Sequence, residues 1–289
     1  MPIIEPAIRP PSEAESFLLQ VTTGCSENYC SFCGAYSGKP FTIKSYEEIT
    51  SDIEAGYRYY PLTRRVFLMD GDALVIKNDK LLPILEKLKY TFPKLSRISS
   101  YANGHNIISR NGQELKELYE HKLGLLYIGL ESGSQKILSR CKKRSSVQEM
   151  IEAVNRAAQA GIKCSVIVLL GLGGRKSSEE HIRDTIAALN RMQPRYLSFL
   201  SLMLIPATAL YKEAKKGDFE ELSPLELLKE AYDILQGLEL ERTIFRANHA
   251  SNYLALEGRL PHDKDRLLGI LQDAMKGDVA LKHEFQRGL

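Results

Sequence analysis

Apolar residues along this chain fall into two alternating patterns. Short apolar runs rich in β-branched residues occur at 16–22 (SFLLQVT), 65–69 (RVFLM), 97–101 (RISSY), 125–130 (LLYIGL), 164–170 (CSVIVLL) and 196–203 (YLSFLSLM). Between them lie stretches with apolar positions at helical spacing: SYEEITSDIEAGYR, KLLPILEKLK, NGQELKELYEHK, SVQEMIEAVNRAAQAG and SEEHIRDTIAALNRM. SYEEI and SVQEM each begin with serine and carry an acid three residues on, the mark of a capping box at a helix start. AQAG places a glycine stop before the fifth run. Strand and helix alternating six times predict parallel strands joined by helical crossovers.

After residue 220 the pattern changes. A helical stretch (SPLELLKEAYDILQGLE) is followed by a short RTIFRANHASNYL segment and a terminal helical stretch (PHDKDRLLGILQDAMKG). No linker rich in Gly, Ser or Pro intervenes. Residues 1–220 are therefore expected to form the α/β core with a short N-terminal segment. Residues 221–289 are expected to form a helical extension packed on it, making one domain overall.

Composition narrows the class. The 289 residues are 44% hydrophobic and 26% charged, which fits a soluble globular chain. A net charge of +3 is too weak to argue for nucleic acid or an acidic membrane as partner. The longest apolar run, SVIVLLGLGG, is far short of a bilayer span. The first residues carry acids and prolines and no signal-peptide stretch, so a cytoplasmic location is expected. In a reducing compartment thiols are metal ligands or buried residues more often than bridges.

That bears on TTGCSENYCSFCGAY at 22–36. Cys25, Cys30 and Cys33 fall at C-x4-C-x2-C spacing in the loop after the first run, and only Cys141 and Cys164 occur elsewhere. A structural zinc site takes four ligands, with paired cysteines repeated downstream, and no second pair exists here. Three cysteines and a water on a catalytic zinc remain open, as does an incidental cluster. A [4Fe-4S] cubane held by three thiolates would leave one iron vacant for another ligand.

At this point the sequence resembles the radical S-adenosylmethionine (SAM) superfamily. The common family motif is C-x3-C-x2-C with an aromatic before the third cysteine. Phe32 stands there, and the first gap is one residue longer than that pattern. The stretch IRPPSEAESFLLQVTTGC…YCSFCGAY is similar to a branch loosely named oxygen-independent coproporphyrinogen oxidase-like. The resemblance runs from residue 8 to about 270. It implies a [4Fe-4S] cluster on Cys25, Cys30 and Cys33, with SAM chelating the open iron through its amino and carboxylate groups. One electron from the reduced cluster would break a carbon–sulfur bond and release a 5′-deoxyadenosyl radical.

The resemblance also assigns the polar residues at the other strand ends. In MDGDAL, Gly71 and Asp72 stand where the family binds the SAM amino group; a plain Asp-Gly turn is the plainer account. In SSYANGHN, Ser100 and Asn103 are placed to face the cofactor, or to make a polar turn; His105 reads as a surface or helix-start residue. In YIGLESGSQ, Glu131 is the ribose-hydroxyl candidate, favoured over the alternative in which Glu131 and Ser132 cap the next helix. Lys143 stands where relatives place a base near the SAM carboxylate, and a solvated basic face competes with that role. Leu170 and Gly171 suit a backbone contact to the adenine, since GLGG is not a dinucleotide fingerprint. Cys141 reads as an ordinary residue and Cys164 as core.

Candidates after strands one to five favour a barrel mouth over a single crevice, hence a partial (β/α)6 TIM-type barrel with a helical C-terminal extension. In FRANHASNYL, Arg246, Asn248 and His249 are substrate-side candidates, or members, with Ser251 and Asn252, of a hydrogen-bonded loop. The expected activity is hydrogen abstraction from a small or medium organic molecule. A one-electron donor such as flavodoxin or ferredoxin is implied, with no membrane and no nucleic-acid partner. The rivals are a tRNA- or nucleobase-modifying radical enzyme and a non-enzymatic, zinc-stabilised binding protein.

Overall fold

The computed structural model describes residues 3–288. Ten strands occur among them: β1 Phe17–Leu19, β2 Thr22–Thr23, β3 Thr42–Ile43, β4 Arg65–Leu68, β5 Arg97–Tyr101, β6 Leu123–Glu131, β7 Lys163–Leu170, β8 Tyr196–Ser201, β9 Thr243–Arg246 and β10 Glu257–Leu260. The helices are α1 Tyr46–Tyr59, α2 Asn78–Thr91, α3 Gly104–Ile108, α4 Gly112–Glu120, α5 Gln135–Arg140, α6 Val147–Gln159, α7 Gly174–Met192, α8 Ala209–Lys216, α9 Pro224–Gly237 and α10 Lys264–Lys276. All six apolar runs form strands, and each predicted helix is present.

The chain divides into two compact units. The first comprises the described residues up to Asn28, Ala35–Ile128 and Glu152–Cys164. Here β1, β4, β5 and most of β6 run parallel, in registers such as Phe17↔Val66, Val66↔Ile98 and Ser100↔Leu126. β2 pairs antiparallel with β3 and closes the base of the segment that carries the cysteines. Leu19, Phe67, Leu68, Ile98 and Leu126 are buried. α1 buries Ile49 and Ile53, and α2 buries Leu81, Ile84, Leu85 and Leu88, one apolar stripe each. Gly56 of α1 is bare because a Cβ there would lie 2.3 Å from the Phe17 ring.

The second unit comprises Tyr29–Gly34, Gly129–Ile151 and the described residues from Ser165 onward. β7, β8 and β9 run parallel, and β10 returns antiparallel to β9. α9 and α10 are the expected helices beyond residue 220, but β9 and β10 add two strands there. Thr243 and Phe245 are buried and Ile244 and Arg246 half-buried, a two-residue period only four positions long. That length is too short for the pattern to announce itself in the sequence.

Candidate functional site

Two hydrogen bonds from backbone N–H groups set the start of the cysteine segment against the end of β4. The Gly71 N–H donates to the Gly24 carbonyl at 2.9 Å, and the Gly24 N–H donates to Asp70 Oδ2 at 2.9 Å. Asp70 is fully buried with φ 67°, a left-handed conformation that aspartate adopts more readily than most non-glycine residues. Its carboxylate ties the turn down. Oδ2 also accepts from Lys39 Nζ at 2.8 Å and Gln20 Nε2 at 3.3 Å. Lys39 Nζ donates in addition to the carbonyls of Ile4 and Pro6. Burial pushes the Asp70 carboxyl upward while Lys39 pulls it back.

This latch fixes the residue before Cys25. A Cβ on Gly71 would lie 2.6 Å from both Cβ and Sγ of Cys25, so only glycine leaves that thiol its place. The Glu27 N–H donates to Cys25 Sγ at 3.4 Å, a contact that stabilises a thiolate. Further along, the Ser31 N–H donates to the Cys141 carbonyl and the Leu210 N–H to the Ser31 carbonyl, both at 2.9 Å. Phe32 packs against the apolar cluster of Ile137, Cys141, Leu172, Leu202, Leu210 and Phe219. Cys25 and Cys30 are half-buried and Cys33 is exposed. A bare glycine beside the Cys25 sulfur and an N–H aimed at that sulfur fit a cysteine serving an iron–sulfur cluster.

The neighbouring strand ends are also polar. Asp72 is fully buried, and its oxygens accept from the Leu74 N–H at 2.9 Å, Asn103 Nδ2 at 3.0 Å and Asn106 Nδ2 at 2.5 Å. Burial raises its carboxyl to about 6 against those hydrogen bonds. Asp72 and Asn103, separate candidates at two strand ends in the sequence, are in direct contact. Ser100 is buried and donates to the Tyr101 carbonyl at 2.7 Å. His105, read as peripheral, is partly buried and lies 2.9 Å from Glu27 of the cysteine segment.

In the second unit, Glu131 ends β6 with φ 63°, and its Oε1 lies 3.3 Å from Lys143 Nζ. Gly129 makes room for the pair, since a Cβ there would come within 2.0 Å of Glu131 Oε1. Ser132 is buried; its Oγ lies 2.8 Å from His181 Nδ1 and accepts from the Ser134 N–H. The helix start behind it is capped by Ser134, whose Oγ accepts from the Ile137 N–H. Leu170 is buried, and Gly171, at φ 82°, donates its N–H to Glu230 Oε1 at 2.6 Å.

Glu230 and His181 were not visible as site residues in the sequence. Both side chains are fully buried, with His181 Nε2 3.6 Å from Glu230 Oε1, and Ser178 Oγ donates to the same carboxylate. Burial raises Glu230 to about 7 and lowers His181 to about 4. Arg246 and His249 are half-buried and Asn248 is exposed. Asn252 spends its amide on the Phe199 and Ala247 carbonyls, and Ser251 Oγ lies 2.9 Å from His249 Nδ1. Cys164 is core, its thiol pushed up to about 12 by burial.

The sequence profile described as the Radical SAM superfamily matches residues 19–189. A heme chaperone, HemW, of Bacillus subtilis is 22% identical over 176 residues, 61% of this chain and 46% of that protein. An uncharacterized methyltransferase of Pyrococcus horikoshii is 23% identical over 68% of this chain and 41% of its own. The chain thus spans less than half the length of these curated relatives. Among solved structures, methylornithine synthase (PylB) is similar with TM-score 0.54 and 16% identity, over 89% of this chain and 81% of that one. The coproporphyrinogen III oxidase HemN of Escherichia coli gives TM-score 0.52 and 13% identity over 76% and 50%. These likenesses show the fold class, the parallel α/β partial barrel, and the fold alone.

Proposed function

Because the chain belongs to the radical SAM superfamily, we propose that Cys25, Cys30 and Cys33 hold its [4Fe-4S] cluster and leave one iron to S-adenosylmethionine. Members are enzymes whose cofactors are that cluster and SAM, and they require a reductant. When bound, the reduced cluster and SAM supply a 5′-deoxyadenosyl radical able to take hydrogen from an unactivated carbon. The observation that carries this reading is the family match across residues 19–189 with the thiol triad in its first strand-end loop.

The chain's own residues then have these roles. Gly71 gives Cys25 its space, and the Asp70 latch holds the peptide before it. Phe32 anchors the loop through its apolar contacts. Gly71 and Asp72 stand at the amino-group site, and Asn103, whose amide donates to Asp72, faces the cofactor beside them. Glu131 accepts the ribose hydroxyls, and Lys143 balances it and faces the SAM carboxylate. The left-handed backbone at Glu131 stores about 1–3 kcal/mol, consistent with a carboxylate held for a ligand. Leu170 and Gly171 line the adenine. Ser100 and Ser132, whose hydroxyls are already bonded, support these strand ends from within. Arg246, Asn248 and His249 lie on the substrate side. The substrate is a small or medium organic molecule, and the electron comes from a flavodoxin- or ferredoxin-type donor.

The test is anaerobic reconstitution of the full chain. About four irons per chain and reductant-dependent 5′-deoxyadenosine are expected. Cys30→Ala should lose both; 5′-deoxyadenosine from that variant at the wild-type level refutes the assignment. Transfer of deuterium from a labelled candidate metabolite into 5′-deoxyadenosine then identifies the substrate.

A further inference from the structure

One face of the sheet in the second unit differs from the other. Val166 and Val168 of β7, Leu197 and Phe199 of β8, and Thr243 and Phe245 of β9 are all buried. Phe199 and Phe245 meet edge to face, with centroids 4.9 Å apart. The alternating positions Ile167, Ser198, Leu200, Ile244 and Arg246 are all half-buried. A strand alternates its side chains between faces, so these five share one side.

Register places the polar pair on that side. Ile167 pairs with Ser198 and Ser198 with Arg246, a single row across three parallel strands. Arg246 is the last residue of β9 and so stands at the carboxyl end, the end at which parallel α/β sheets bind ligands. Its cross-strand neighbour on the same side is Glu257 of β10. Glu257 is exposed, and none of the ion pairs found among the described residues involves Arg246. A half-buried arginine in one row with a serine, on the side of the sheet that also carries Ile167, Leu200 and Ile244, suits an anion with an apolar body.

We propose that Arg246, with the Ser198 hydroxyl, recognises a carboxylate on the substrate, and that the substrate's body is apolar and lies along Ile167, Leu200 and Ile244. One guanidinium and one neutral hydroxyl balance a single negative charge, which fits a carboxylate rather than a phosphate dianion. This rests on the radical SAM reading only for the reaction; the charge preference is a binding property of the chain itself.

Isothermal titration of the anaerobically reconstituted chain with SAM, using octanoate, phenylacetate and 4-phenylbutyrate, each against its neutral amide, tests it. At least one acid should bind about ten-fold or more tightly than its amide, as expected for a charge-assisted hydrogen bond. Arg246→Gln should bring that acid to its amide's level with iron content and SAM affinity unchanged, while Glu257→Gln keeps the preference. No acid bound above its amide, or a preference that survives Arg246→Gln, overturns the proposal. A wild-type chain that takes up neither iron nor SAM overturns the cofactor reading instead. The acid–amide comparison on that cluster-free chain still decides this one.

Discussion

Lys39 and Asp70 form a buried ion pair whose side chains are 5% and 0% exposed. Breaking such a pair from one side leaves an uncompensated charge and typically costs about 3–5 kcal/mol. Lys39→Met should therefore lower the denaturant midpoint sharply, and Lys39→Arg much less, because it keeps the charge. An unchanged midpoint for Lys39→Met would mean that Gln20 and the Gly24 N–H alone hold Asp70. The adjacent glycine makes a sharper demand. Gly71→Ala puts a methyl where Cys25 lies, so iron bound per chain should fall while far-ultraviolet circular dichroism stays native. Full iron loading in that variant would show that the cysteine segment moves aside freely. Neither residue's part was legible in MDGDAL. The dipeptide reads as a turn whether or not a lysine 31 positions earlier reaches its carboxylate.

At the scale of elements, local rules carried much further. Ser45–Glu48 and Ser146–Glu149, read as capping boxes from spacing, make both reciprocal bonds. The same arrangement starts α4 at Asn111–Glu114 and α9 at Ser223–Glu226. Each such bond involves residues three apart, so the sequence contains all of it. Ser45→Ala should cost about 1 kcal/mol, read from a urea midpoint shift. A shift near zero would assign α1 to packing of Ile49 and Ile53 alone. β9 and Glu230 were illegible for the opposite reason. Glu230 sits in LELLKEAYDIL at a position that reads as a solvent-facing acid, yet it accepts the Gly171 N–H from 59 residues away. β9 is recognisable as a strand only once β8 lies beside it.

For the whole molecule, the buried pair on α7 and α9 shapes stability against pH. His181 has its folded value lowered to about 4 from an ordinary 6.5, so it is protonated more readily in the unfolded chain. Its contribution is therefore lost as pH falls from 6.5 toward 4. Glu230 has its folded value raised to about 7 from 4.5, so its contribution is present below 4.5 and lost as pH rises through 7. Each slope is at most about 1.4 kcal/mol per pH unit, and the two oppose each other between 4.5 and 6.5. The wild-type chain should accordingly show a shallow profile from pH 5 to 6.5 in urea unfolding. Glu230→Gln removes the falling limb, so stability should climb with pH over that window and stay level to pH 7.5. Wild type should instead decline between 6.5 and 7.5. Parallel wild-type and variant profiles would place the Glu230 proton elsewhere and leave the Gly171 hydrogen bond as that carboxylate's whole contribution.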